Sequence, residues 1–350
     1  MLILGIESSC DDTSVALLDI TDKKIKILAE KTASQIDVHK KYGGVVPEIA
    51  GRLHAEKILP VVEEVLNDQK IPDVIAVTSG PGLITGLLVG VETAKTLSYI
   101  WNIPIVAINH IEGHIYSPLI TRPEIFPLPT FHFPTLSLVV SGGHSEIILA
   151  KKPGHYERVG GTKDDAAGEC FDKVAKLLGF DYPGGPKISE IAKGGDETAI
   201  DFPRPMISQQ NFDFSFSGLK TSALYWLRDN AKINKDKTYT LDKKTLHDFC
   251  ASFETAIVDL LVSKTMRAIK KYKPKTIILG GGVSANKKLR QTLEDKIRKN
   301  DLSTNILFPA PNYSMDNATM IALAGYNHAK NKNFTQWKDL LADPNWKIYE

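Results

Sequence analysis

The sequence has few cysteines and lacks the spacing that a disulfide scaffold or a zinc site needs. Its 350 residues contain only Cys10, Cys170 and Cys250, far apart and without a CxxC pair. An odd number of widely spaced cysteines excludes a disulfide-rich secreted scaffold and is typical of proteins in a reducing cytosol. We therefore expect a cytoplasmic protein.

Long apolar runs and a strong charge imbalance are also lacking. No segment is apolar over the ~20 residues that a membrane-spanning helix needs. The apolar start at residues 2–6 is followed at once by Glu7, unlike the longer apolar region of a signal peptide. The formal net charge of +2 excludes a strongly basic protein. It leaves a nucleic-acid partner possible, because local patches decide such binding.

Basic residues are concentrated in two segments of the C-terminal half. The first segment contains Lys264, Arg267, Lys270, Lys271, Lys273 and Lys275, and the second contains Lys287, Lys288, Arg290, Lys296, Arg298 and Lys299. Such runs are usually solvated helix faces, and a surface that contacts phosphates is the functional alternative. The sequence leaves both interpretations open.

Apolar runs of strand length alternate with helical patterns, which predicts an α/β protein. Five prolines between residues 118 and 134 exclude a helix or a central strand there. We therefore predict a first lobe at 1–118, a connection at 119–134 and a second lobe at 135–330. The second lobe carries a mostly helical insertion at 155–222, and the tail at 331–350 has no clear period.

Two patterns occur once in each predicted lobe. Residues 3–19 and 136–150 both read as strand, polar turn and strand. Residues 75–95 and 276–294 both read as strand, glycine loop and helix. Repetition of this kind indicates a duplicated domain, with the ligand expected in the cleft between the copies.

Glycine loops in these repeats are suited to anion binding. Residues 141–145 (SGGHS) lie between two strands, and residues 280–282 (GGG) lie between a strand and a helix. Without Cβ atoms, the backbone N–H groups of such loops can approach a phosphate closely. Plain tight turns are the alternative for either loop. The spacing fits neither a Walker A motif nor GxGxxG.

His110 and His114 are four residues apart, so on a helix they share a face and can bind one metal ion. Glu112 is two residues after the first histidine, not one as in HExxH, and therefore faces away, which disfavours a metalloprotease. Asp316 precedes a helical run of small and apolar residues. It is a candidate third ligand, and spacing alone favours a helix N-cap for it.

The combined motifs resemble the bacterial and mitochondrial tRNA N6-adenosine threonylcarbamoyltransferases, the TsaD family. The motifs, in chain order, are GIESSCDDT (5–13), PEIAGRLH (47–54), SGPGLITGLLVG (79–90), NHIEGH (109–114), VVSGGHS (139–145), DDAAGECFDKVAKLLGFDYPGGP (164–186), FSFSGLKTS (214–222), GGGVSANKKLR (280–290) and MDNATMIA (315–322). They run through almost the whole chain.

The resemblance implies a duplicated fold of the actin, sugar-kinase and Hsp70 type, which is ribonuclease-H-like and two-lobed. It also implies an acyltransferase. Its donor would be threonylcarbamoyl-AMP, and its acceptor the N6 amine of adenosine at tRNA position 37, in tRNAs that read codons beginning with adenine. The implied partners are the tRNA anticodon arm, an inactive TsaB-like paralogue and a TsaE-like ATPase.

The resemblance also implies site residues. The metal ligands would be His110, His114 and Asp316, holding one divalent ion, iron or alternatively zinc. The donor pocket would be formed by Val139, Val140, Ser141, Gly142, Gly143, Asp172, Gly185 and Asn286. Some family members carry an aspartate where this chain has Ser189, so Ser189 is left out of the pocket. Asp11 or Asp12 is the candidate residue for positioning the N6 amine or taking its proton, and Asp11 is preferred. The alternative is that this carboxylate only stabilises the turn.

Three other functions remain as alternatives. An ATP-hydrolysing or kinase member of the same fold would have similar phosphate loops but no use for two paired histidines. A noncatalytic nucleotide-binding scaffold would need no metal triad. An endopeptidase is disfavoured by the position of Glu112.

Overall fold

The computed structural model describes residues 1–22, 24–120, 131–300, 302 and 304–349. The chain forms two compact units. The first comprises Met1–Thr130 together with Pro309–Glu350, and the second comprises Phe131–Phe308. Most of the predicted connection, at 121–130, lies outside the described residues.

The first unit is built on a five-stranded mixed sheet. Its strands are β1 (Leu2–Glu7), β2 (Asp12–Ile20), β3 (Ile25–Ser34), β4 (Val74–Gly80) and β5 (Ile105–Asn109). The strand order is β3-β2-β1-β4-β5. The first three strands pair antiparallel, and β1, β4 and β5 pair parallel. Its helices are α1 (Ile36–His39), α2 (Pro47–Leu66), α3 (Ile84–Trp101) and α4 (His110–Tyr116).

The second unit repeats this sheet and carries more helices. Its strands are β6 (Thr135–Val140), β7 (Ser145–Lys152), β8 (His155–Gly161), β9 (Lys232–Ile233), β10 (Tyr239–Thr240), β11 (Thr276–Gly280) and β12 (Asn305–Leu307). Its helices are α5 (Ala167–Leu177), α6 (Gly184–Ala192), α7 (Ser217–Asn230), α8 (Lys243–Tyr272) and α9 (Lys287–Lys299).

The main sheet of the second unit has the order β12-β11-β6-β7-β8. Strands β6, β7 and β8 pair antiparallel, whereas β6, β11 and β12 pair parallel. Each unit therefore has three antiparallel strands followed by two parallel ones in the same spatial order. This confirms the predicted duplicated α/β fold.

The insertion of the second unit begins later than predicted. Residues 155–161 form β8, which pairs with β7 and so belongs to the sheet, because its backbone groups complete that ladder. The inserted segment runs from 162 to 242 and contains α5, α6, α7 and the small β9–β10 ladder. Its core includes Phe202, whose ring centroid lies 5.3 Å from that of Phe249 on α8.

The C-terminal segment was predicted to belong to the second lobe up to residue 330, and the structure corrects this. Helix α10 (Ala318–Lys330) packs on β1, β2 and β4 of the first unit. The approach is close, since a Cβ on Gly5 would lie 2.3 Å from the carbonyl oxygen of Ala318. Small residues on both sides allow this contact.

The tail also belongs to the first unit. The backbone N–H of Thr335 donates to the carbonyl of Ile105 at 2.8 Å, and Leu340 is buried in the core. Among the described helices, none combines the length and apolar character needed to cross a bilayer.

Candidate functional site

Helix α4 places the two histidines on one face. Asn109 ends β5 and caps the helix, its side chain accepting from the N–H of Ile111 at 2.9 Å. The helix therefore begins at His110, and His114 follows one turn later. Both are buried, and their ring centroids lie 4.6 Å apart. The predicted helical arrangement of the pair is present.

Asp316 lies against both histidines. Its Oδ1 atom is 3.4 Å from Nε2 of His110 and 3.2 Å from Nε2 of His114. One ligand atom from each residue lies within 4.8 Å of the others. Helix α10 is capped by Asn317, which accepts from the N–H of Met320. The N-cap interpretation of Asp316 is therefore wrong, and its carboxylate faces the histidines instead.

The polar atoms around this triad fit a bound cation. Both ring nitrogens of His114 are buried; Nδ1 has no hydrogen-bond partner among the described residues, and the polar contact of Nε2 is the one with Asp316 at 3.2 Å. The Nδ1 atom of His110 lies 2.9 Å from Oε2 of Glu7, which leaves Nε2 facing Asp316. A carboxylate that holds one nitrogen of an imidazole, so that the other can bind a metal, is a common arrangement in metal sites. His2Asp donors suit iron or zinc.

Glu7 completes the surroundings of the triad and was not predicted. Its carboxylate is fully buried and accepts from Thr78 Oγ1 at 2.7 Å and from the N–H of Ser9 at 2.6 Å. Burial favours the neutral acid, but the charge of His110 lowers the pKa of Glu7. The sequence did contain a signal for Glu7, because it is a charged residue at the end of an otherwise apolar strand.

Electrostatics in the triad favour one positive imidazole. Burial works against charge on His110, yet Glu7 and Asp316 raise its pKa well above the usual value. Burial dominates at His114 and lowers its pKa. Burial alone would raise the pKa of Asp316. The charge of His110 outweighs burial and keeps the pKa of that carboxyl well below its usual value. The site is therefore organised around a positive charge.

Glu112 is directed away from the metal ligands, as predicted. Its Oε2 atom lies 3.0 Å from Nε2 of His328 on α10. This contact stabilises the packing of α4 on α10, because it links two largely buried polar groups. Glu112 is therefore paired with His328 and not with a residue of the triad.

The two aspartates of the first hairpin differ in exposure. Asp11 is half-buried in the turn, and its carbonyl accepts from the N–H of Gln35 at 3.1 Å. Asp12 starts β2 and is buried, and burial raises its pKa to about 7, despite a hydrogen bond with Ser34. Asp11 is the better placed of the two to reach a substrate, and its catalytic role stays a prediction.

The predicted donor-pocket residues of the second unit lie at the end of β6 and the turn after it, on α5 and α6, and at the cap of α9. Val139 and Val140 end β6, and residues 141–143 turn into β7. The N–H of Ser141 donates to the carbonyl of His144 at 2.8 Å, which closes this turn. Space is open where Cβ atoms of Gly142 and Gly143 would stand.

Two further glycines bring their own elements against this turn. A Cβ on Gly168, in the first turn of α5, would lie 2.6 Å from the carbonyl oxygen of Ser141. Gly281 has a φ of +83°, and a Cβ there would lie 2.4 Å from the carbonyl oxygen of Val140. Only glycine permits both close approaches. The two predicted glycine loops are therefore neighbours.

Asp172 and Gly185 meet at the start of α6. Asp172 Oδ1 accepts from the N–H of Gly184 at 2.7 Å and from that of Gly185 at 3.4 Å. A carboxylate at this position satisfies N–H groups that the first turn of a helix leaves unpaired. Asp172 therefore fixes the beginning of α6.

Asn286 lies in a hydrogen-bonded cluster with two residues left out of the predicted pocket. Its Oδ1 caps α9 by accepting from the N–H of Leu289 at 2.8 Å. Its Nδ2 donates to Ser189 Oγ at 2.9 Å and to Glu254 Oε1 at 2.6 Å. Glu254 lies in the middle of α8, where nothing in the sequence distinguishes it from other helix residues.

Part of the first basic segment is internal. The Lys264 side chain is fully buried and donates to the carbonyls of Gln209 and Asn211 at 3.0 and 3.1 Å. Arg267 donates to the carbonyl of Ile207 at 3.0 Å. These two cations hold the insertion against α8.

Other basic residues of the two segments meet at a cavity of about 520 Å³ between α8 and α9. Lys270 and Lys296 are exposed at its rim, and Arg267 also lines it. The one lining carboxylate, Asp259, is engaged by Arg204 at 3.0 Å. The cavity wall is therefore positively charged.

Comparison with known proteins gives one family and many relatives. The family model described as TsaD, tRNA N6-adenosine threonylcarbamoyltransferase, matches residues 26–323. A protein of that name from Thermosipho africanus is 45% identical over 352 residues, covering 99% of this chain and 100% of the relative. Another protein of that name, from Listeria monocytogenes, is 46% identical over 328 residues, covering 93% of this chain and 90% of the relative.

Two solved structures share the fold at low identity. Full-length HypF in a phosphate- and nucleotide-bound form aligns with a TM-score of 0.59 and 12% identity, over 95% of this chain and 47% of that one. Component A of the (R)-2-hydroxyglutaryl-CoA dehydratase of Acidaminococcus fermentans aligns with a TM-score of 0.50 and 14% identity, over 94% and 99%. At such identities the likeness concerns the actin-like, two-lobed fold alone.

Proposed function

The chain belongs to the tRNA N6-adenosine threonylcarbamoyltransferase family, and on that premise we propose the complete reaction that it performs. It transfers the threonylcarbamoyl group from threonylcarbamoyl-AMP to the N6 amine of adenosine 37, in tRNAs that read codons beginning with adenine. AMP is released. The observation that carries this proposal is the buried His110–His114–Asp316 cluster in a chain that matches its relatives over nearly its full length.

The metal ligands in this proposal are His110, His114 and Asp316, holding one divalent ion, iron or alternatively zinc. Bound there, the ion supplies a Lewis acid for oxygen atoms of the donor. Glu7 orients the imidazole of His110 through its contact at 2.9 Å. The position of His114 supports the assignment, because its buried Nε2 faces the carboxylate of Asp316 and the ring makes no regular hydrogen bond among the described residues.

The donor pocket in this proposal consists of Val139–Gly143, Asp172, Gly185 and Asn286. The N–H groups of Gly142 and Gly143 have open space in front of them and can stabilise the phosphate of the leaving AMP. Asp172 and Gly185 set the start of α6. The location of these residues in one unit, with α5 and the loop at Gly281 packed against the turn after β6, supports a common ligand.

The chemical step forms one bond and breaks another. The N6 nitrogen attacks the carbonyl carbon of the threonylcarbamoyl group, and the bond from that carbon to the phosphate oxygen of AMP breaks. The nitrogen loses one proton, for which Asp11 is the proposed acceptor. An aryl amine is a weak nucleophile, so a good leaving group and an activated carbonyl are both needed.

The partners in this proposal are the tRNA anticodon arm, an inactive TsaB-like paralogue and a TsaE-like ATPase, acting in the cytoplasm. The target base lies in a single-stranded loop, where it can leave the stack at little cost. An ATP-hydrolysing protein of the same fold is the main alternative. The triad supports the transferase, because phosphate loops alone do not need it.

A reconstituted reaction tests the proposal. The chain is mixed with labelled threonine, bicarbonate, ATP, the synthase that makes the donor, the partner proteins and unmodified tRNA, and digested tRNA is examined for threonylcarbamoyladenosine. We expect product with the wild type and with His155→Ala, whose ring is exposed on β8. We expect none with His110→Ala/His114→Ala. Absence of product with intact ATP turnover and tRNA binding would favour the ATPase.

A further inference from the structure

Glu254 is a buried carboxylate without a compensating cation. The residue is 5% exposed on α8. Among the described residues, no lysine, arginine or histidine nitrogen lies within ion-pair distance of it. A carboxylate buried in this way is costly unless hydrogen bonds or a ligand compensate it. The charge of Glu254 therefore depends on hydrogen bonds, or on a bound ligand, for its compensation.

Only one of its two oxygens has a hydrogen-bond partner among the described residues. Oε1 accepts from Ser189 Oγ at 2.5 Å and from Asn286 Nδ2 at 2.6 Å. Oε2 has no hydrogen-bond partner in the described part of the chain. Ser189 and Asn286 thus hold the carboxylate in one orientation and leave an oriented acceptor.

One neighbour of Glu254, Asn286, belongs to the proposed donor pocket, and the other, Ser189, adjoins a residue of that pocket. Ser189 lies one helical turn after Gly185 on α6, so the two residues share a face. Asn286 ends the loop that begins at Gly281. Helix α6 packs against α8. The free oxygen of Glu254 is therefore held among the residues proposed to bind the adenylate.

The chemistry of a carboxylate selects the part of the nucleotide that it contacts. An ionised carboxylate accepts hydrogen bonds only and repels phosphate. Within an adenylate, the ribose hydroxyls are donors that a single acidic residue commonly binds, as in dinucleotide-binding folds. Charge-assisted bonds of this kind are about twice as strong as neutral ones.

We propose that Glu254 is a specificity-determining residue that binds a ribose hydroxyl of the donor nucleotide through Oε2, with Ser189 and Asn286 as its positioning residues. This inference rests on the proposed function, which identifies the donor as an adenylate. Glu254 thereby makes the pocket selective for ribonucleotides over deoxyribonucleotides.

Nucleotide binding to the full-length chain tests this assignment without the transfer reaction. AMP, 2′-deoxy-AMP and 3′-deoxy-AMP are titrated by calorimetry into the wild type and Glu254→Gln. We expect the wild type to bind AMP at least ~10-fold more tightly than one of the deoxy analogues, as for a hydrogen bond to a charged group. In Glu254→Gln, which keeps the shape but not the charge, that ratio is expected to fall to about 3 or less.

Two more variants control the experiment. Glu190→Gln removes an exposed carboxylate next to Ser189 on α6, where it pairs with Lys187, and should keep the wild-type ratio. Ser189→Ala removes one of the bonds that orient Glu254, and should lower the ratio partly even if Glu254→Gln is too unstable to purify. Melting temperatures verify that each variant is folded.

The outcomes separate this inference from the proposed function. Equal binding of all three nucleotides by the wild type, or an unchanged ratio in Glu254→Gln, would overturn the role of Glu254 and leave the reaction intact. A wild type that binds no AMP would refute the proposed donor pocket itself. Selectivity lost in Glu254→Gln and retained in Glu190→Gln would establish the assignment.

Discussion

At the scale of single residues, Glu7 has the strongest influence on the triad without belonging to it. It holds Nδ1 of His110 at 2.9 Å and is itself fixed by Thr78 and Ser9. The imidazole is thereby held in one orientation, with Nε2 directed toward Asp316. Partners of this kind contribute substantially to metal affinity.

Replacing Glu7 by glutamine should weaken metal binding about 10–100-fold, as is typical for the loss of a carboxylate behind a metal-binding histidine. The measurement is competition with a chelating dye, using zinc and anaerobic ferrous iron. Glu30→Gln is the control, because Glu30 bonds Thr319 and Tyr313 rather than the triad. Wild-type affinity in Glu7→Gln would show that the histidine is oriented by other contacts.

The spacing predicted the histidine pair and the resemblance added Asp316 to it, but neither indicated Glu7 or Glu254. His110 and His114 have a spacing that a helix converts into a shared face, so the pattern is local. Glu7 meets His110 only because β1 and β5 flank β4 in the sheet. Glu254 meets Ser189 only because α6 packs on α8. Single carboxylates joined by tertiary packing leave no periodic signal in a sequence.

At the scale of elements, Asp164 holds the beginning of a distant helix. Its carboxylate accepts from the N–H of Phe216 at 2.7 Å and from the N–H of Ser217 at 3.2 Å. The hydroxyls of Ser215 and Ser217 donate to its other oxygen. Helix α7 starts at Ser217 and has no side-chain cap of its own. Asp164, near the start of the insertion, therefore caps α7, which lies about 50 residues later in the chain.

Asp164→Asn should destabilise the protein at neutral pH but not in acid. Burial would raise the pKa of Asp164, yet these hydrogen bonds lower it below 3.8. Its stabilisation is therefore present above about pH 4 and is lost as the pH falls through the folded-state pKa. Asparagine keeps one acceptor oxygen but loses the charge and the bonds to the other oxygen, which costs ~1 kcal/mol, or about 2–4 °C in Tm for a unit of this size.

Thermal unfolding of wild type and variant between pH 3 and 7 checks this prediction. Asp229→Asn is the control, since Asp229 is exposed near the other end of α7 and pairs with Arg228. A Tm difference between Asp164→Asn and wild type that stays constant across the range would contradict the assignment of the cap.

At the scale of the whole molecule, the repeats were predictable and the boundary of the units was not. The hairpins and the strand–loop–helix segments follow a local pattern, which is why both sheets were anticipated. Nothing local shows that α10 leaves the unit that precedes it in the chain. The run of small residues in α10 indicates close packing but does not identify the partner. Gly325 packs against Ala76 of β4, and a Cβ on Gly325 would lie 2.4 Å from the Cβ of Ala76.

Charge distribution gives the prediction at this scale. We expect Lys270→Glu/Lys296→Glu, at the rim of the cavity between α8 and α9, to weaken tRNA binding and to reduce its salt dependence by ~2 charges. Filter binding at salt concentrations from about 50 to about 200 mM measures the affinity for tRNA and its dependence on salt. Phosphate contacts weaken over about this range. Lys151→Glu/Lys187→Glu, which alters two exposed lysines elsewhere in the same unit, is the control. An unchanged salt slope in the first variant would show that these lysines only solvate their helices.

The docking of the C-terminal segment on the first sheet has a consequence for biosynthesis. His110 and His114 emerge from the ribosome long before Asp316, and domains generally begin to fold while the chain is still being made. Until α10 has been translated and has packed on β1, the nascent chain has two of the three ligands and an unfinished core. A chain terminated before Asp316 would therefore lack the third proposed ligand, and retention of an ion would report that synthesis had passed that residue.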